Sequence, residues 1–209
     1  MALSELAPGV FYAPGWLDRA GQEELLGELQ SIVRSAPLFV PRMPRTGTPF
    51  SVRMTNCGLL GWVSDREGGY RYQPNHPETG EQWPPIPDIA LRVWHEIGGY
   101  DRPPEACLIN FYAPDARMGL HQDLNEADLA APVVSLSLGE TCRFRFGTTS
   151  RTGSGTQSFK LASGDAMALS GPARLIFHGV DKIYPGTSTL LKNGGRLNLT
   201  LRRVSARAE

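Results

Sequence analysis

A chain of 209 residues, 41% of them hydrophobic, is long enough to bury the core of one domain. Its 21 basic residues balance 21 acidic ones, which argues against a protein that coats nucleic acid by bulk electrostatics but leaves room for one that grips a few phosphates locally. No stretch approaches the ~20 consecutive apolar residues of a membrane span. The opening Met-Ala-Leu-Ser-Glu-Leu-Ala-Pro has no basic region ahead of an apolar one, so a soluble, cytoplasmic protein with no membrane partner is expected.

In chain order, Asp18 is the expected cap of a first helix in which Leu25, Leu26, Leu29, Ile32 and Val33 recur at helical spacing. The stretch from Pro41 to Pro87 is rich in Pro, Gly and aromatics and holds Trp62, Tyr70, Tyr72 and Trp83. Aromatics in loops usually build small satellite cores, and that reading suits Trp83 best. Pro87-Asp88 opens a second helix with Ile89, Val93, Trp94 and Ile97 on one face and Gly98-Gly99 as its stop. From Ala106 the chain breaks into short strands, 106–112, 132–138, 141–146, 157–161, 164–169, 174–178 and 196–202. They are separated by turn residues such as Gly147, Gly171-Pro172 and Asn193-Gly194-Gly195. That rhythm suits a double-sheet jelly roll, a mainly β fold with flanking helices that brace a sheet. Cys57, Cys107 and Cys142 lack C-x-x-C spacing and suggest a reducing compartment, with Cys107 and Cys142 as small buried hydrophobes. Arginines cluster at Arg42, Arg45 and Arg53 and again at Arg143, Arg145 and Arg151. They are either ordinary solvated surface or flanks of a nucleic-acid groove.

Two constellations carry chemistry. His121-Gln122-Asp123 is answered by His178 fifty-five residues later (178 − 123 = 55). Two imidazoles and a carboxylate are the ligand set of a facial triad, which fills one face of an octahedral Fe(II) and leaves three positions open. In a strand, residues i and i+2 share a face, so His121 and Asp123 can meet one metal without strain. The tripeptide alone is equally a strand-end His bonding a turn Asp. The second constellation, Arg196-Leu-Asn198-Leu-Thr200-Leu-Arg202, sets Leu197, Leu199 and Leu201 against a polar face. A solvated strand face is the plain reading; a polar face turned into a small barrel is the other. Two guanidinium forks on one face suit a dicarboxylate. The segment 106–112 alternates likewise, with Leu108, Asn110 and Tyr112 on one face and Cys107, Ile109 and Phe111 on the other. Beside a His/Asp/His set, these strands favour an enclosed site.

With these residues the chain resembles the AlkB family of Fe(II)- and 2-oxoglutarate-dependent dioxygenases, particularly its bacterial DNA-repair members. The matching text is Met54-Thr-Asn-Cys-Gly58, Leu60-Gly-Trp62, Ala106-Cys-Leu-Ile-Asn110-x-Tyr112-Ala-Pro114, Leu120-His-Gln-Asp123, Ala131-Pro-x-Val-Ser-x-Ser-Leu-Gly139, His178-Gly179 and Arg196-x-Asn-Leu-Thr-x-Arg202, from about Pro49 to Arg203. The resemblance implies a double-stranded β-helix within a single domain, 1–209. Residues 1–105 would form the N-terminal helices and a nucleotide-recognition lid, and 106–205 the dioxygenase core. It implies His121, Asp123 and His178 as iron ligands and Asn110, Phe111, Tyr112, Arg196, Asn198 and Arg202 as the 2-oxoglutarate site. Trp62 and His121 would sandwich a flipped base, with Tyr70, Arg71, Tyr72 and Arg151 contacting nucleic acid. The implied reaction, with O₂ as the other co-substrate, is oxidative demethylation of N1-methyladenine and N3-methylcytosine in single-stranded or duplex DNA, with RNA as a further class, by a monomer. Asn125 departs from the acidic residue that bacterial members carry there, with Glu126 and Asp128 as neighbouring acids that can stand in. Two other classes stay open: a 2-oxoglutarate oxygenase acting on a metabolite or protein side chain, and a non-catalytic metal-binding β-barrel module.

Overall fold

The alternation of leucines with polar residues from Arg196 to Arg202 becomes the two faces of one central strand in the computed structural model, which describes residues 3–150 and 155–206. Numbered along the chain, the larger sheet is antiparallel and runs β1 (Ser4–Ala7), β2 (Val10–Ala13), β11 (Ala166–Leu169), β8 (Val133–Gly139), β13 (Arg196–Arg202), β6 (Ala106–Tyr112), β3 (Arg53–Gly58). The smaller one, also antiparallel, runs β10 (Gln157–Leu161), β9 (Thr141–Phe146), β12 (His178–Tyr184), β7 (Met118–His121). A separate hairpin joins β4 (Gly61–Asp65) to β5 (Gly69–Gln73).

Strand parity then decides where each side chain is buried. Leu108, Tyr112, Val133 and Met167 of the larger sheet meet Phe144, Phe146 and Val180 of the smaller one in a core between the sheets, the arrangement of a jelly roll. The opposite face of the larger sheet presents Cys107, Ile109, Leu197, Leu199 and Leu201 to Leu25, Leu29 and Ile32 of α1 (Arg19–Ser35) and to Ile89 and Val93 of α2 (Asp88–Val93). The helices brace this sheet as their apolar spacing predicted. Asp18 caps α1, accepting from Gly21 N at 2.9 Å. The second helix continues through a π turn, Trp94–Gly98, and stops at Gly99, whose φ of +59° suits glycine. Leu199 is fully buried between β13 and the helices. Leu199→Ala should therefore lower the unfolding free energy by about 2–5 kcal/mol in denaturant titration; a loss below about 1 kcal/mol would mean that the site collapses around the smaller side chain.

One expected strand is absent. Residues 174–178 do not form one: a short 3-10 turn, Gly171–Ala173, leads into Arg174, and pairing begins only at His178. The apolar run Leu175-Ile176-Phe177 mimics a strand. The Arg174 side chain instead turns inward and donates to Ala131 O and Asp123 O, both at 2.8 Å. The other expected strands agree to within about two residues, while β1–β5, β7 and all of β12 beyond His178 went unread. All three cysteines are free and buried. Trp83, expected in a satellite core, instead joins the core between the sheets, with Nε1 donating to Gln73 O at 2.8 Å. Among the described residues, no helix is long and apolar enough to cross a membrane.

Candidate metal and co-substrate site

Glycine makes the first contact of the site possible. A Cβ on Gly179 would lie 2.5 Å from Met118 O, so only glycine lets β7 approach β12 this closely. That approach sets His121 directly opposite His178, their ring centroids 4.5 Å apart. Asp123 follows just beyond β7, and each imidazole Nε2 is 3.9 Å from one of its carboxylate oxygens. One ligand atom from each of the three residues lies within 4.8 Å of the others. His121 Nδ1 donates to Gly119 O at 2.9 Å and His178 Nδ1 to Ile176 O at 3.1 Å. In this tautomer both Nε2 lone pairs are left for a metal.

The electrostatics favour the ligand forms. Burial works against an ionised Asp123, but Arg202 and the two imidazoles override it and hold its carboxyl well below the usual range. Burial first, and His121 second, push the His178 imidazole down to about 4, so it is neutral at pH 7. Arg202 grips Asp123 through both oxygens, NH2–Oδ1 at 2.9 Å and Nε–Oδ2 at 3.3 Å. This fixes the carboxylate's orientation as well as its charge.

Asn110, Tyr112, Asn198 and Arg202 line one cavity of about 830 Å³ together with His121, Asp123 and His178. The polar faces of β6 and β13 thus point between the sheets. Arg196 is not a lining residue but is 1% exposed, its NH2 donating to Ser137 Oγ at 2.7 Å, while its Nε has no partner. No carboxylate pairs with it among the described residues. A buried, unpaired guanidinium is costly, so the chain is short of one anion where the resemblance puts a dicarboxylate. The triad's donor set suits iron and this deficit suits 2-oxoglutarate. The Phe111 side chain sits on the far face of β6, with Arg53 over its ring at 4.8 Å, and does not join the group.

The β4–β5 hairpin contributes to the cavity wall. Trp62 and Tyr70 line the same cavity and stack on each other, centroids 5.6 Å apart at 21°. Arg71 has the opposite parity and turns to Asp65 at 2.8 Å, away from the cavity. Asn125 lines the cavity and accepts from Trp62 Nε1 at 3.2 Å. Arg151 lies outside the described residues.

Two residues that spacing did not reveal tie these parts together. Glu126 is buried, paired with buried Arg174 at 3.0 Å, and it accepts a hydrogen bond from the Tyr72 hydroxyl. Arg202 Nε lies 3.5 Å from the same carboxylate. Tyr72 therefore anchors the hairpin to the group that orients Asp123, and burial raises its own pKa. Glu126 is thus committed to Arg174, Arg202 and Tyr72, and it does not line the cavity as Asn125 does. Asp128 does not line it either, and accepts from Tyr100 at 3.0 Å and Arg102 at 3.0 Å.

A family model described as the 2OG-Fe(II) oxygenase superfamily matches residues 9–202. The chain is 50% identical over 199 residues to an alpha-ketoglutarate-dependent dioxygenase AlkB homolog of Caulobacter vibrioides (strain NA1000 / CB15N), covering 95% of this chain and 89% of that one. It is 38% identical over 186 residues to alpha-ketoglutarate-dependent dioxygenase AlkB of Escherichia coli (strain K12), covering 87% and 84%. A shorter match, 31% over 131 residues and covering 60% and 33%, is to nucleic acid dioxygenase ALKBH1 of Homo sapiens. Among solved structures, that of OsALKBH1 superposes with a TM-score of 0.79 at 30% identity, over 97% of this chain and 100% of that one.

Proposed function

Because the chain belongs to the 2OG-Fe(II) oxygenase superfamily, and within it to the AlkB family, we propose that it removes methyl groups oxidatively from N-alkylated bases in nucleic acid, N1-methyladenine and N3-methylcytosine first among them. It is an Fe(II)- and 2-oxoglutarate-dependent dioxygenase, and the alternative of a non-catalytic metal-binding module falls with that. When bound, iron with 2-oxoglutarate and dioxygen supplies the power to oxidise an unreactive C–H bond.

The chain's own groups bind and orient. His121, Asp123 and His178 offer three ligand atoms, and Arg202 keeps Asp123 ionised and aimed. Arg196 is the partner we assign to the distal carboxylate of 2-oxoglutarate, with Tyr112 and Asn198 beside it; Asn110 and Arg202 serve the end nearer the metal. Trp62, Tyr70 and His121 supply ring faces for a base taken out of its stack, a contact worth ~1–3 kcal/mol per base. Tyr72 acts through Glu126 in seating the hairpin.

The observation that carries this reading is that the aromatic hairpin and the triad line one cavity. A co-substrate site alone needs no Trp62 or Tyr70. A monomer working in the cytoplasm is part of the same reading, the compartment being in keeping with three free cysteines. The test is formaldehyde release from methylated against unmethylated oligonucleotides, with Fe(II) and 2-oxoglutarate present or omitted. Succinate formation that ignores the methylated base would instead favour a small-molecule substrate.

Lesion charge provides a finer test. N1-methyladenine and N3-methylcytosine are cationic, whereas N1-methylguanine is neutral, and Asn125 offers the cavity a hydrogen bond without a charge. Asn125→Asp should raise kcat/KM for N1-methyladenine relative to N1-methylguanine by on the order of 1 kcal/mol, about fivefold. An identical ratio in both proteins would mean that position 125 does not read lesion charge.

A further inference from the structure

The smaller sheet has a second face. Phe144 and Phe146 of β9 are buried toward the core, which leaves Arg143 and Arg145 on the outside. Arg143 lies directly opposite Lys160 of β10 on one side and Lys182 of β12 on the other. Three exposed cations thus stand in one row of about 10 Å, at the ~4.8 Å spacing of neighbouring strands. Like charges directly opposite one another weaken a sheet. Among the described residues the one acid paired with them is Asp181, at a bulge in β12, and it is divided between Arg143 at 3.5 Å and Arg145 at 3.2 Å. Lys160 and Lys182 both reach over the ring of Tyr184, at 5.3 and 5.2 Å, and neither is in an ion pair among the described residues. Four cations against one acid leave this face at +3 in a chain of zero net charge (4 − 1 = 3). The sheet therefore tolerates repulsion that an added anion would relieve.

We propose that this outer face is a second docking surface, one that takes the sugar-phosphate backbone of single-stranded nucleic acid flanking the nucleotide in the cavity. The inference rests on the nucleic-acid reading above. The same strands form both sides of the wall: Phe144 and His178 line the cavity, while Arg143 and Arg145 face out. At the end of the sheet that carries His178 the register runs His178, Phe146, Gln157, so a strand passing over that edge meets Arg145 first and then the Lys160–Arg143–Lys182 row. Cations around an aromatic ring form the kind of groove that holds single strands without reading sequence.

The experiment compares the parent with a Lys160→Ala/Lys182→Ala protein on two substrates sharing one central methylated base: a trinucleotide and a strand of about twenty nucleotides. Both lysines lie outside the cavity, so trinucleotide kcat/KM should be unchanged. For the long strand KM should rise roughly five- to tenfold at constant kcat, the size expected for two exposed charge contacts. The slope of log kcat/KM against log salt should shrink by about 1.4, at ~0.7 per lost single-strand contact. An unchanged KM and salt slope on the long strand would overturn the proposal while leaving the demethylase reading intact. A loss confined to binding of anionic phospholipid vesicles would assign the face to a membrane and overturn it as well. Failure of the parent to turn over even the trinucleotide would remove the demethylase reading, and this inference with it.

Discussion

Asp123→Ala is expected to bring formaldehyde release to background and to strip the protein of iron on desalting. Among the described residues three side chains offer ligand atoms here, and Asp123 is the one that supplies negative charge. Altering a supporting partner of a metal ligand typically costs ~10–100-fold, so loss of a ligand itself should exceed that range. The substitution also strands Arg202, a buried cation whose two nearest bonds go to this carboxylate. Breaking a buried pair costs about 3–5 kcal/mol, and Glu126, 3.5 Å from Arg202, should hold the loss to the lower end. Asp123→Asn separates the effects, because it keeps the shape of the side chain and removes the charge. Iron content, thermal midpoint and turnover measured together give the answer. Full activity in Asp123→Ala would sink the assignment of the triad.

Arg196→Ala should raise the 2-oxoglutarate requirement by about a hundredfold or more, from the ~3–5 kcal/mol lost when one partner of a buried pair is removed, at 1.4 kcal/mol per tenfold. Arg196 is almost fully buried, carries its charge without a carboxylate, and keeps one N–H unbonded. A dicarboxylate meets all three conditions at once. Lysine should rescue poorly, because a point charge cannot reproduce the fork. The rise in Tm that 2-oxoglutarate gives the parent should vanish in the variant, a binding readout independent of turnover. An unchanged KM for 2-oxoglutarate would show that another residue holds the distal carboxylate.

The strands that carry the site were legible because alternation survives folding. The sequence segments 106–112 and 196–202 are β6 and β13, with the polar side of each lining the cavity or buried beside it. Helix ends were legible through Asp18 and Gly99, whose local chemistry needs no tertiary partner. The hairpin was harder. Read as a loop, its aromatics had no parity; as strands, Trp62, Tyr70 and Tyr72 share one face and Arg71 takes the other. Least legible was the pairing of Glu126 with Arg174, 48 residues apart, since no periodicity joins them. A buried arginine just before an apolar run reads as a strand end until its carbonyl partners are known.

The placement of β7 has a thermodynamic consequence. This four-residue strand is the edge of its sheet and, among the described residues, pairs only with β12, yet it delivers His121. Edge strands with one neighbour are where fraying begins. A metal held between His121 and His178 would act as a clasp across that edge, closing a loop of 57 residues (178 − 121 = 57) that backbone pairing alone secures weakly. Stability should then track free metal, gaining about 2.7 kcal/mol at a hundred times the dissociation constant. Chelation should release the edge first, with faster amide exchange along Met118–His121 while β6 and β13 stay protected.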